Sequence, residues 1–122
     1  MSEKITLLYV DDEPTNLLLF ELNFNKVFDI LIADSGLEGL EILRENPHIK
    51  AVISDMRMPE MNGIEFIKAS KEEFSEISYF ILTGYEIDEE IFEALNQGLI
   101  KKLFKKPFNK KVIEEAIKKS LN

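Results

Sequence analysis

Five short apolar runs, each followed by a longer stretch with apolar residues at helical spacing, alternate along this chain of 122 residues. No other feature restricts the fold as much. Apolar runs too short for helices suit parallel strands buried on both faces, and parallel strands need a crossover of about a dozen residues, usually a helix. Residues 5–10, 30–33, 51–54 and 79–82 read as strands, with a short fifth strand inside 99–104. Pro14 sits where a first helical turn tolerates proline and opens a helix to about Asn25. Asp34 or Ser35 caps a second helix to about Glu45, stopped by Asn46-Pro47. A third runs from about Gly63 to Glu73, and Asp88 caps a fourth that ends near Gln97-Gly98. Asn109 opens the last, in which Val112, Ile113, Ala116, Ile117 and Leu121 form one expected apolar stripe. No linker, repeat or low-complexity tract interrupts the series, so residues 1–122 are expected to form a single domain. Right-handed crossovers on so short a parallel sheet predict a doubly wound, three-layer α/β fold with five helices. The pattern alone leaves the strand order open.

Composition removes several classes of function. There is no Cys, which excludes a disulfide scaffold, a thiolate metal site and a Cys nucleophile. The formal charge is 15 − 23 = −8 and is unevenly placed: residues 1–100 carry 7 basic and 21 acidic side chains, residues 101–122 carry 8 and 2. A body of net charge 7 − 21 = −14 repels nucleic acid and anionic membranes, so no direct nucleic-acid partner is expected, and the basic tail reads as a solvated helix face. The apolar run Leu17 to Phe20 is far short of a bilayer span, and Met1-Ser2-Glu3-Lys4 leads into no signal-peptide core. A cytoplasmic protein without membrane insertion is the expectation. His48, the one histidine, follows Asn46-Pro47 and reads as a surface loop residue; alone it gives no triad and no multi-histidine zinc site.

The chemistry-bearing residues stand where strands end: Asp11-Asp12 after the first, Asp55 after the third, Thr83 after the fourth and Lys106-Pro107 after the fifth. Ligands of open parallel sheets bind at that carboxyl edge. With strands about 4.8 Å apart, these groups can converge, and three carboxylates in one hollow repel each other unless a cation joins them. Mg2+ is the hard ion that suits one or two carboxylates with water and phosphate. Such an ion, Lys106 and the Thr83 hydroxyl could each neutralise or bind a phosphoryl oxygen, which is what phosphoryl transfer asks of a protein. Asp55 is the best candidate for a carboxylate nucleophile that forms an aspartyl phosphate, which leaves Asp11 and Asp12 for the metal.

Four segments, Val10-Asp11-Asp12-Glu13-Pro14, Asp55-Met56-Arg57-Met58-Pro59 with Asn62-Gly63, Leu82-Thr83-Gly84 and Lys106-Pro107-Phe108, occur in order along the whole chain. Together they resemble the response-regulator receiver domain of two-component signalling. The resemblance implies a flavodoxin-like sandwich with strand order 2-1-3-4-5. It also implies that Asp55 is the phosphoacceptor, that Asp12 binds Mg2+ directly and Asp11 largely through water, and that the Arg57 carbonyl is a third protein ligand. Thr83 would be the switch hydroxyl and Lys106 the partner of the phosphoryl group. Implied partners are a sensor histidine kinase or a histidine phosphotransfer protein, which supplies the phosphoryl from a phosphohistidine. Such a domain is a switch with self-catalysed phosphorylation and dephosphorylation rather than an enzyme. It is expected as a monomer or a weak phosphorylation-dependent dimer.

Departures from the family pattern carry their own expectations. Leu103 stands where an aromatic is usual, and Phe104 beside it faces the opposite side of its strand. Arg57 and Tyr85, both large, are expected to influence the lifetime of the phosphoryl group. With no effector domain read after the fifth helix, output is expected to pass to a separate downstream protein through a helix-four to strand-five surface. In the first helix Leu17, Leu18, Leu19, Phe20, Leu22 and Phe24 exceed one buried stripe, so the surplus is expected to dock a kinase or phosphotransfer helix bundle. Two alternatives are weighed against this reading. One is a Mg2+-dependent aspartyl-nucleophile phosphohydrolase, disfavoured because position 57 is Arg where Asp-x-Asp would be usual. The other is a non-phosphorylated interaction module of the same fold.

Overall fold

Backbone pairing follows the apolar runs. A computed structural model describes residues 4–121 as β1 (Ile5–Val10), α1 (Pro14–Phe24), β2 (Phe28–Ala33), α2 (Gly36–Glu45) and β3 (Ala51–Ser54). These are followed by α3 (Gly63–Glu73), β4 (Ser78–Thr83), α4 (Glu89–Asn96), β5 (Lys102–Lys105) and α5 (Lys110–Ser120). All strands are parallel, in the order β2-β1-β3-β4-β5. That is the doubly wound, flavodoxin-like arrangement with five helices.

The helix boundaries have local chemical causes. Ser35, not Asp34, caps α2 by accepting the Glu38 N–H, and Asp88 and Asn109 do the same for α4 and α5. At α3 the bonding is reciprocal: the Asn62 side chain accepts the Glu65 N–H while the Glu65 carboxylate accepts the Asn62 N–H. Gly98 ends α4 with φ +75, a conformation that costs glycine nothing.

The period of two in each strand divides the core. Leu7 and Tyr9, Ile53, Phe80 and Leu82, and Phe104 face α1 and α5, where they pack with Phe20, Phe24, Ile113 and Ile117. Leu8 and Val10, Val52, Tyr79 and Ile81, and Leu103 face α2, α3 and α4. Leu103 and Phe104 thus fill opposite layers, as expected from the sequence. Ile113 and Ile117 are fully buried, each worth about 1.5–3 kcal/mol over exposure. Val112 departs from the expected α5 stripe: it is 41% exposed, because the stripe that meets the sheet is only as wide as Ile113 and Ile117, with Ala116 and Leu121 half-buried. β5 is an edge strand of four residues with exposed lysines at both ends, Lys102 and Lys105. No helix among the described residues is long and apolar enough to cross a membrane.

Candidate functional site

Pairing and alternation together bring the acidic residues to one corner. The Asp11 N–H bonds the Ala33 carbonyl and the Asp55 N–H bonds the Val10 carbonyl, so both residues extend the ladders one step past the strands. Tyr9, Ile53 and Phe104 face α1 and α5, and two residues further on the same alternation sends Asp11, Asp55 and Lys106 to that side. Thr83 pairs with Lys105 at the end of β4, and the Thr83 carbonyl accepts the Lys106 N–H. A hollow of about 480 Å3 opens over this edge, lined by Asp12, Glu13, Asn16, Asp55, Arg57, Gly84, Tyr85 and Lys106.

Asp11, Asp12 and Asp55 each offer a carboxylate oxygen, all within 4.8 Å of one another. Asp11 is fully buried, Asp55 nearly so, and Asp12 half-buried. The Lys106 ammonium lies 3.0 Å from Asp11 Oδ2 and 3.6 Å from Asp55 Oδ2. Lys106, the cation paired with them among the described residues, leaves three carboxylates with an excess of negative charge, and an all-oxygen donor set of this kind fits a small hard dication. The acidic pocket can therefore bind a metal.

The two buried acids are held differently. Asp11 Oδ2 accepts the Tyr9 hydroxyl at 2.6 Å as well as Lys106, and its Oδ1 accepts the Glu13 N–H at 3.0 Å. Asp55 Oδ1 accepts the adjacent Met56 N–H at 2.9 Å, and its other oxygen faces Lys106 at the longer distance. Burial first, and then the Asp11 carboxylate, push the Asp55 carboxyl up to about 6, against the opposing pull of Lys106. Gly63 allows the β3–α3 loop to close, since a Cβ there would run into the Asp55 carbonyl oxygen; the Gly63 N–H instead bonds the Met56 carbonyl at 2.8 Å.

Thr83 is fully buried and its hydroxyl accepts the Tyr85 N–H at 3.2 Å, so it is engaged with its own loop. The Arg57 guanidinium lies 4.1 Å from the centre of the Tyr85 ring and joins the β3–α3 and β4–α4 loops across the mouth of the hollow. His48 is exposed, away from this edge in the loop before β3. Tyr9 escapes a reading by motif because it lies in a strand that looks like pure core. The available signal is its place two residues before Asp11, on the same face.

A strand-edge cluster of three acids and one lysine on a 2-1-3-4-5 sheet marks the ligand-binding edge of a doubly wound α/β domain. The family model described as "Response regulator receiver domain" matches residues 7–118. The chain is 34% identical over 97 residues to the chemotaxis protein CheY1 of Helicobacter pylori, covering 76% of this chain and 78% of that protein. It is 32% identical over 98 residues to the hydrogenase transcriptional regulatory protein HoxA of Cupriavidus necator, covering 80% of this chain but only 20% of that protein. The chain therefore aligns with about one fifth of HoxA. A response regulator receiver domain protein from Clostridium thermocellum superposes with a TM-score of 0.90 at 29% identity, covering 97% of this chain and 94% of the other. The chain belongs to the response regulator receiver domain family of two-component signalling.

Proposed function

We propose that residues 1–122 form one receiver domain that acts as a phosphoacceptor switch of a two-component or phosphorelay system, with Asp55 as the acceptor. The observation that carries this reading is the convergence of three carboxylates within 4.8 Å beside the Lys106 ammonium at the carboxyl edge of the sheet. An Asp55 oxygen attacks the phosphorus of a phosphohistidine on a histidine kinase or phosphotransfer protein. The N–P bond breaks, its electron pair leaves with the imidazole, and an O–P bond forms. Asp12, Asp55 and the Arg57 carbonyl would hold Mg2+, with Asp11 contributing through water. When bound, the ion would supply neutralisation of charge on the phosphoryl oxygens. Lys106 moves from the carboxylates to a phosphoryl oxygen and keeps that charge from building up as the bond forms. Water later cleaves the O–P bond, returning the Asp55 carboxylate and inorganic phosphate.

The phosphoryl group adds charge and acceptor oxygens beside a loop whose threonine hydroxyl is engaged by the Tyr85 N–H of the same loop. The Thr83 hydroxyl turns from the Tyr85 N–H towards the phosphoryl, and the β4–α4 loop follows. The change reaches the α4–β5–α5 surface, where exposed Ile87 and Phe92 wait for a separate effector protein. On α1, Leu18 (55% exposed), Leu19 (48%) and Leu22 (62%) are the surplus apolar residues and form the docking surface for the phosphodonor. Charged substitutions at Leu18 and Leu22 are expected to slow phosphotransfer from a phosphohistidine donor while leaving phosphorylation by acetyl phosphate unchanged.

Intact-mass measurement after treatment with acetyl phosphate and Mg2+ tests the acceptor. One added phosphoryl group in the parent protein and none in Asp55→Asn is the expected result. Addition that survives in the variant overturns the assignment. Turnover of small phosphomonoesters would instead favour a hydrolase.

A further inference from the structure

We propose that Tyr9 is a positioning residue for the metal site: its buried hydroxyl tethers Asp11 so that one acceptor position of that carboxylate stays open and fixed for Mg2+ or its water. The inference rests on the reading of the acidic pocket as a Mg2+ site. A carboxylate offers about four acceptor positions, two on each oxygen. Tyr9 and Lys106 occupy Oδ2, and the Glu13 N–H takes one of the two on Oδ1, which leaves one.

These three donors are not equivalent. Lys106 also lies 3.6 Å from Asp55 and is the group expected to leave Asp11 for a phosphoryl oxygen. The Tyr9 hydroxyl has no such second role, and at 2.6 Å from Asp11 Oδ2 it falls in the range of short charge-assisted O–H···O bonds. Its ring is buried and stacked on Phe20, with centroids 4.1 Å apart and planes 13° from parallel. A phenol so clamped is a rigid strut. When Lys106 swings away, Tyr9 and the Glu13 backbone keep Asp11 from turning, a task that an aliphatic core residue at position 9 could not perform.

Calorimetric titration of Mg2+ into the parent protein, Tyr9→Phe, Asp11→Asn and the double variant tests the tether. Tyr9→Phe keeps the ring and is expected to lower Mg2+ affinity about tenfold. In the Asp11→Asn background the same substitution is expected to have no further effect. Unchanged affinity in Tyr9→Phe, or an equal loss in both backgrounds, overturns the proposal. Absence of any Mg2+ binding by the parent protein instead removes the metal reading beneath it. A second measurement needs no core substitution: the 13C resonance of Tyr9 Cζ reports the hydrogen bonding of its hydroxyl. It is expected to shift during the Mg2+ titration with the same midpoint as the calorimetry, and a resonance that stays in place at saturating Mg2+ overturns the tether.

Discussion

Asp11 and Asp55 sit on adjacent strands at one corner of the molecule, both buried, yet the protein treats them in opposite ways. Asp11 accepts from three donors, a phenol, an ammonium and a backbone N–H. Asp55 has one close hydrogen bond, from the Met56 N–H, and its other oxygen is left 3.6 Å from a lysine shared with Asp11. A carboxylate held by three donors is a poor nucleophile but a good anchor. One that is desolvated, repelled by its neighbour and half-satisfied is poised to react or to take on a cation. The corner thus separates a fixed acid from a usable one through their surroundings alone.

The largest expected effect breaks the usable member. Asp55→Asn is expected to abolish phosphoryl uptake from acetyl phosphate, read by intact mass, whereas Asp11→Asn is expected to leave uptake possible and to lower its rate through weaker metal binding. Breaking the fixed member costs the fold instead. Asp11→Ala strands the buried Tyr9 hydroxyl without its acceptor, and urea unfolding in Mg2+-free buffer should show a loss of about 1–3 kcal/mol.

Asp55 gives a stability effect of opposite sign. Its carboxyl titrates near 6 in the folded protein against an ordinary value of 3.8, so between those values the native state holds a proton that the unfolded chain has released. Stability therefore falls as pH rises through this window and stays lower above it. Asp55→Asn has no proton to lose and so acquires no buried charge. At pH 8 without Mg2+ it should melt roughly a few degrees above the parent protein, and thermal scans should show the advantage fading as pH falls from about 6 towards 4. The smallest effect concerns the mouth of the site. Arg57→Ala removes a cation–π contact worth about 0.5–1 kcal/mol, and dephosphorylation followed by mass should accelerate by about twofold to fivefold. An unchanged rate would show that the Arg57–Tyr85 pair does not screen the acceptor.

The fold was largely legible because its signals are local. Pro14, Asp88, Gly98 and Asn109 each mark a helix end by their own chemistry. The choice between Asp34 and Ser35 was not, since both can cap, and only the structure shows which oxygen meets the Glu38 N–H. Strand order was silent in the hydrophobic pattern because every strand of a parallel sheet carries similar apolar runs; the resemblance supplied it. At the site, the positions of Asp11, Asp55, Thr83 and Lys106 followed from strand ends. What did not follow was the bonding among them: that Lys106 lies closer to Asp11 than to Asp55, that Thr83 is turned to its own loop, and that Tyr9 reaches Asp11 from within the core. Spacing along a chain says which groups share an edge, while the partition of donors among acceptors is settled by packing in three dimensions. The exposure of Val112 has the same origin, because helical periodicity predicts a stripe but not its width.

The lysines that bracket β5 bear on how the protein behaves when crowded. A strand at the margin of a sheet is an unfinished ladder, and another chain can continue it. Here that margin is only four residues long, and an ammonium at each end makes any second copy that tried to align there bring like charges together. Fibrillar growth from this side of the molecule is discouraged without a covering helix, and exchanging Lys102 and Lys105 for threonine should make concentrated samples scatter more light on ageing.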